Sequence, residues 1–164
     1  PERGELRRLQ GLALYANLPA HVGERLRRRM AEVLGGAGFS PHLEVRQVPA
    51  AAPGAAVFLL VECRHTMAGF SALGERGKPA ERVADEACAD FLHWYRSGAA
   101  VEMHLADQLL LPLALAGGPS TFTTCRVTGH LLTNAWVVQH FLPQRVEIEG
   151  NEGQPGRVAI VASL

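Results

Sequence analysis

Two segments, HLADQLLLPLALAGG (residues 104–118) and TGHLLTNAWVVQHFLP (residues 128–143), carry the most information about this chain. Each begins with a polar cluster and continues into a long apolar run. Removing polar groups from water at the start of a buried element costs free energy unless they have hydrogen-bond partners or a functional role. We therefore expect both clusters to have a function.

Apolar periodicity predicts the elements around these clusters. Residues 101–115 are predicted to form a helix that Pro112 kinks or that bends near Pro112, and residues 130–141 a second helix. Strands are expected at 120–125, and a closing hairpin at 146–149 and 158–162. These helices are too apolar for a region of only about 66 residues. The region is therefore predicted to pack on something absent from this sequence.

The preceding residues 1–98 are predicted to form a separate α/β unit. Pro79 suits the first turn of a helix that ends at Ser97-Gly98, and Gly35-Gly36 is expected to cap the first helix. The pattern indicates strands at 9–18, 42–48 and 57–61, helices at 20–34 and 79–95, and an ambiguous segment at 67–73. The predicted domains are thus residues 1–98 and 99–164.

Composition is that of an ordinary globular chain. Of 164 residues, 48% are hydrophobic and 20% charged, and the net charge is zero, so no overall basic field attracts nucleic acid. Three cysteines without metal-type spacing favour reduced thiols in a cytoplasmic protein. The richest apolar run, 105–116, is too short for a membrane span, so no membrane association is expected. Because the first residue is Pro1, we expect a processed or truncated product.

These residues carry a family resemblance. ADQL (106–109) followed by HLLTN (130–134) is specific, because both elements stand at the spacing the family uses. The chain resembles the C-terminal end of the RNA 3′-terminal phosphate cyclases, strongly over about its last 90 residues and more weakly before them. The other matching segments are GERGKPAE (74–81), SGAAV (97–101), 104–118, FTT (122–124) and FLP (141–143).

The resemblance implies a fold for each region. Residues 1–98 would be the family's small insert domain, which is thioredoxin-like. Residues 99–164 would be the last part of a larger domain, built of units similar to the C-terminal domain of translation initiation factor 3. The family's N-terminal half, with its glycine-rich motif and arginines for nucleotide and RNA, would be missing.

His130 is the leading candidate for chemistry. A histidine at the start of a helix, after Thr128-Gly129, lies where backbone N–H groups and the helix dipole favour a phosphate. Neutral imidazole is also a competent nucleophile. The alternative is a capping or core histidine. The resemblance implies that His130 attacks the α-phosphate of ATP and becomes AMP-histidine.

Asp107 and His104 are three residues apart and hence on one face of the first predicted helix, and Gln108 is one turn from His104. A carboxylate near a nucleophilic imidazole can orient it or hold a divalent metal; the alternative is a solvated first helical turn. The resemblance implies that Asp107 is essential and binds Mg²⁺ or Mn²⁺, and that Gln108 lines the nucleotide site. His104 stands where some relatives have a tyrosine against adenine. A structural zinc on His104, Asp107 and His130 would lack ligands.

Two other features have ordinary explanations beside functional ones. Arg25 and Arg27-Arg28-Arg29 form a basic run, which is predicted to be a solvated helix face, with an RNA-phosphate contact as the alternative. Trp94 and Tyr95 could stack on a base, but core or rim packing is preferred.

The implied activity is ATP-dependent conversion of an RNA 3′-terminal phosphate to a 2′,3′-cyclic phosphate. The implied partners are RNA 3′-phosphate ends and the missing N-terminal half, without which we expect little activity. A homodimer is one assembly that the sequence allows. The alternative function is a non-catalytic, cyclase-like scaffold for RNA processing or ribosome assembly. Such relatives lack the nucleophilic histidine, so His130 with Asp107 argues against it. Residues 1–98 could also be a partner-binding module.

Overall fold

A computed structural model describes residues 2–116 and 118–161 of the chain. Contacts between residues divide it into two compact units, one of residues 4–93 and one of residues 1–3 and 94–164. Both units combine strands with helices. The predicted α/β (α+β) class is therefore confirmed.

The first unit contains a four-stranded sheet. Its elements are β1 (Leu6–Ala16), α1 (Ala20–Gly36), β2 (His42–Gln47), β3 (Gly54–Cys63), β4 (Met67–Leu73) and α2 (Ala80–Ser97), whose last turn belongs to the other unit. The strand order is β2-β1-β3-β4, with β1 and β2 parallel and the other pairs antiparallel. Helix α1 is the crossover that a parallel pair requires. The ambiguous segment 67–73 is thus a strand.

Apolar stripes on both helices form the core of this unit. Leu26 and Met30 of α1 are fully buried, as the predicted helical periodicity requires. Phe91 of α2 is also fully buried and meets two aromatic rings edge to face, Phe39 at 5.0 Å and Phe70 of β4 at 5.8 Å between centroids. Such pairs add about 0.5–1.5 kcal/mol beyond the area they bury.

The basic run on α1 is ion-paired with carboxylates. Arg25 makes a bidentate contact with Glu81 of α2, at 2.8 and 2.6 Å. The remaining arginines have carboxylate neighbours at 2.7–3.9 Å, in the pairs Arg27–Glu24, Arg28–Glu32 and Arg29–Asp85. The run is therefore the solvated, charge-balanced face that was predicted.

The second unit packs helices on a three-stranded antiparallel sheet. Its elements are α3 (Met103–Gln108), α4 (Leu110–Leu115), β5 (Ser120–Thr124), α5 (Gly129–Phe141), β6 (Arg145–Glu149) and β7 (Gly156–Val161). The strand order is β5-β7-β6. The predicted closing hairpin is present, although its predicted end at Ala162 lies outside the described residues. Leu110, Leu131 and Val158 are fully buried at the centre of this core.

The single helix predicted at 101–115 is wrong. The chain forms α3 and α4 instead, with Leu109 between them in a turn. Pro112 has no N–H to donate to the carbonyl of Gln108, and its ring would clash with that carbonyl. The interruption therefore falls three residues before the proline, so that Pro112 lies near a bend, the second of its two predicted positions. Pro112 itself is in the first turn of α4, where a missing N–H is tolerated.

Two predicted boundaries also move. The strand predicted at 9–18 is β1, which begins at Leu6 and ends at Ala16. The predicted cap at Gly35-Gly36 is wrong, because both glycines are the last residues of α1. The positive backbone dihedral that a glycine allows occurs at Gly38, with φ of 88°.

Candidate functional site

The backbone of α3 is fixed at its start by Glu102, which is 8% exposed. Its carboxylate accepts hydrogen bonds from the backbone N–H of His104, at 2.8 Å, and from that of Leu105. Hydrogen bonds to an ionised acceptor are about twice as strong as neutral ones. Because α3 has only six residues, this cap controls how the helix presents Asp107 and Gln108.

The start of α5 is held by threonine side chains. Thr128 is the N-cap, and its hydroxyl accepts from the N–H of Leu131 at 3.1 Å. The Thr133 hydroxyl donates to the carbonyl of Gly129 at 2.8 Å. His130 lies in this first turn with an exposed side chain. The imidazole is thus accessible on a turn whose backbone is capped.

A cleft of about 460 Å³ is lined by residues of α3, α4 and α5. Three polar residues contribute to it, Asp107 and Gln108 from α3 and Asn134 from α5. The rest of its lining is apolar and consists of Leu110, Leu111, Val137, Val138, Phe141 and Leu142. A mostly apolar cleft with a few polar groups is the usual form of a small-molecule site, and this volume is in the usual range.

The exposed side of α5 has two distinct faces. A helix turns about 100° per residue, so residues 130, 134, 137 and 141 point within about 60° of one another. Three of these line the cleft, and His130 extends the same row by one turn. Leu132, Trp136 and His140 lie on another face, beyond the buried stripe that contains Leu131 and Ala135. The predicted nucleophile is therefore in line with the cleft.

Comparison with known proteins gives the family. The family model of the RNA 3′-terminal phosphate cyclase (RTC) insert domain matches residues 1–96. The chain belongs to the RNA 3′-terminal phosphate cyclase family. A protein of that name from Methylococcus capsulatus is 49% identical over 158 residues, covering 96% of this chain and 44% of that protein.

Other cyclases named alike come from distant organisms. The relative from Pseudomonas aeruginosa LESB58 is 41% identical over 160 residues, covering 98% of this chain and 46% of that protein. The relative from Methanopyrus kandleri is 40% identical over 164 residues, covering 96% of the chain and 47% of that protein. The chain therefore spans a little under half the length of these relatives.

The cyclase resemblance assigned four residues to the site, and the fold brings two of them together. Asp107 and Gln108 line the same cleft. His104 and His130 are exposed and lie outside the cleft lining, each one turn from a lining residue on its own helix. Their roles in nucleotide binding and catalysis stay predictions.

Asn134 was not among the candidates drawn from the sequence. The signal was present, since Asn134 is four residues after His130 and hence on the same helical face. Asn134 becomes part of a cleft only because α3 lies beside α5. The spacing of residues within one segment does not predict that packing.

Within residues 2–116 and 118–161, no three His, Cys, Asp or Glu side chains cluster in a way that could hold a metal ion. A single carboxylate in a cleft still suits Mg²⁺, which commonly uses one or two carboxylates together with substrate phosphates. Asp107 has that character.

The remaining sequence candidates are structural. Trp94 is fully buried, and Arg3 lies over the rings of Trp94 and Tyr95 at 5.1 and 4.3 Å. The three cysteines are free and buried, and burial raises the pKa of Cys88 to about 12 and that of Cys125 to about 11. Among the helices of the described residues, none combines the length and apolar character needed to cross a membrane.

Proposed function

We propose that this chain is the C-terminal part of an enzyme that converts RNA 3′-terminal phosphates to 2′,3′-cyclic phosphates with ATP. Family membership supports the activity class, since the relatives carry that name. The single observation that carries the proposal is the cleft between α3, α4 and α5, with Asp107 and Gln108 in its lining. His130 lies one helical turn before Asn134 of that lining, and the volume of about 460 Å³ is in the usual range of small-molecule sites.

The first step is adenylylation of His130. A ring nitrogen of the neutral imidazole attacks the α-phosphorus of ATP, forming a P–N bond as the P–O bond to pyrophosphate breaks, and the imidazole loses its proton. The exposed position of His130 leaves the ring open to the triphosphate. The dipole of α5 favours the anionic group at this end.

The next steps use the adenylyl group as an activator. The RNA 3′-phosphate attacks the phosphorus on His130, giving RNA(3′)pp(5′)A and restoring the free imidazole. The adjacent 2′-hydroxyl then attacks the RNA phosphorus, and AMP leaves. A phosphate monoester lacks a good leaving group, and the attached AMP supplies one.

Asp107, Gln108 and His104 bind the nucleotide in this proposal. Asp107 holds a divalent cation, Mg²⁺ or Mn²⁺, which when bound offsets the charge of the triphosphate. Gln108 supplies an amide to the cleft. His104, one turn before Gln108 and exposed, covers one face of the adenine in this assignment.

We also propose that the missing N-terminal half docks on the outer face of α5 and on α4. Trp136 is 62% exposed, and Leu132 and Leu115 are 38% and 65% exposed. Leu132 and Trp136 are one turn apart on α5, and large exposed apolar side chains that form a patch usually mark an interface. The remaining length of the relatives, more than half of each, is a sufficient source for the covering segment.

The finer fold assignments belong to the same proposal. For residues 1–98 we propose the thioredoxin-like insert domain, supported by the element order of the first unit and its β2-β1-β3-β4 sheet. For residues 99–164 we propose a piece of a domain like the C-terminal domain of translation initiation factor 3. The packing of α3–α5 on an antiparallel sheet is consistent with it.

The test uses a chimera in which the unmatched N-terminal part of the Methylococcus capsulatus relative precedes this chain. Its intact mass is measured after incubation with ATP and Mg²⁺ or Mn²⁺. We expect an acid-labile adenylyl adduct that is absent in His130→Ala and retained in His21→Ala, which removes an exposed histidine of α1. The isolated chain should show little adduct.

Two results would contradict the proposal. An adduct that persists in His130→Ala would remove His130 as the nucleophile. A folded chimera that forms no adduct with either metal would leave the non-catalytic scaffold as the function.

A further inference from the structure

Asn134, like His130, differs from the other polar side chains of α5 in bonding no backbone carbonyl of its own helix. The Thr133 hydroxyl, the Gln139 amide and the His140 ring each bond a backbone carbonyl of their own helix, at 2.8, 3.2 and 2.8 Å. Asn134 makes no hydrogen bond within residues 2–116 and 118–161, yet it lines the cleft. Its amide therefore has both a donor and an acceptor available to a ligand.

The position of Asn134 relative to His130 defines which part of a nucleotide it can meet. The two residues are on one face of α5, separated by about 6 Å along the helix axis. The apolar residues Val137 and Phe141 continue the row, starting about 10 Å from His130. A ligand extending along α5 from His130 thus meets an amide first and an apolar wall afterwards.

The parts of an adenylyl group come in a matching order. The phosphorus bonded to His130 is followed by the ribose and then by the base. The base has two apolar faces suited to the Val137 and Phe141 end of the cleft. The ribose carries two neighbouring hydroxyls, each of which donates and accepts hydrogen bonds, as an asparagine amide also does.

We propose that Asn134 binds the ribose hydroxyls of the adenylyl donor and makes the cleft select ribonucleotides over 2′-deoxyribonucleotides. This inference rests on the proposed function, because it takes His130 as the attachment point. Asn134 is a specificity-determining residue in this assignment. A site built to bond a hydroxyl disfavours the analogue that lacks it, since its polar groups are then left unpaired.

The experiment compares adduct formation from ATP and from 2′-deoxyATP by the chimera, under conditions where the nucleotide is below saturation. We expect the unmodified chimera to prefer ATP by about 3- to 10-fold, the range of one or two neutral hydrogen bonds. Asn134→Ala should slow the reaction of ATP more than that of 2′-deoxyATP. The preference of the variant for ATP should therefore fall to about 2-fold or less. Alanine favours helix more than asparagine, so the variant should fold.

Two controls separate this inference from its alternatives. His21→Ala changes an exposed polar residue of α1 and should leave the ratio unchanged. An Asn134→Ala variant that slows both nucleotides equally, or neither, overturns the inference while the adduct itself upholds the proposed function. If the unmodified chimera forms no adduct, the proposed function fails and this inference fails with it.

Discussion

Replacement of Glu102 by alanine should destabilise the second unit and release α3. Both carboxylate oxygens accept from backbone N–H groups, and the residue is 8% exposed, so water reaches the vacated N–H groups poorly. Loss of an N-cap costs about 0.5–2 kcal/mol, and hydrogen bonds to a charged group are at the strong end of their range. We expect a loss of about 2 kcal/mol, which for a chain of this size lowers Tm by about 4–8 °C.

Thermal unfolding followed by circular dichroism measures the loss, and hydrogen exchange of peptides covering 103–116 locates it. Glu102→Asp should recover most of the stability, because aspartate is among the preferred N-caps. Glu149→Ala serves as the control, since this exposed carboxylate contacts Arg157 at 3.5 Å and should change stability by less than about 0.5 kcal/mol. If Glu102→Ala lowers Tm no more than the control does, or leaves exchange in α3 unchanged, the cap does not hold this helix.

Two further predictions concern the ionisable groups of the chain. The hydrogen bonds from Arg25 lower the pKa of Glu81 from 4.5 to about 2, so the pair stabilises the fold above pH 4.5 and this contribution is lost as the pH falls towards 2. Arg25→Ala should therefore lower the urea concentration at the unfolding midpoint near neutral pH. Between pH 4.5 and 2, this midpoint should fall less steeply in the variant than in the unmodified chain. If the midpoints of the two proteins fall in parallel, the pair is not responsible. Because burial raises the pKa of Cys88 and Cys125 to about 12 and 11, neither thiol should react with a thiol reagent at neutral pH until denaturant is added. Rapid labelling of either thiol in the native protein would show that the cysteines are accessible.

Much of the fold follows from the sequence because its signals are local. Helix α1 was predicted from apolar residues three and four apart, and Leu26 and Met30 of that stripe are buried. The break between α3 and α4 was predicted only as a kink at Pro112 or a bend near it, because the proline acts on the carbonyl four residues earlier and not only at its own position. The strand at 67–73 stayed ambiguous because an uncharged segment becomes a strand only by pairing with β3. That pairing is a tertiary contact which periodicity does not contain.

The candidate site also has one part that follows from the sequence and one part that depends on tertiary packing. Asp107, Gln108 and His130 were assigned through a family resemblance that depends on two short segments, and each segment gives only the spacing within its own helix. The cleft exists because α3 and α4 lie against α5, so Asn134 gains significance only after these helices are packed together. A residue that becomes part of a site only because another segment packs across a pocket from it is difficult to find from sequence.

Four large apolar side chains of α5 are exposed, and they lie on two sides of the helix. Leu131 and Ala135 are buried in the core on a further side. Val137 and Phe141 continue the row that begins at His130 and line the cleft, whereas Leu132 and Trp136 lie on the side that also carries His140. A surface helix usually carries polar residues outside its buried stripe. The exposure of Leu132 and Trp136 therefore supports the proposal that another segment covers this side, while the row beginning at His130 stays open to a ligand.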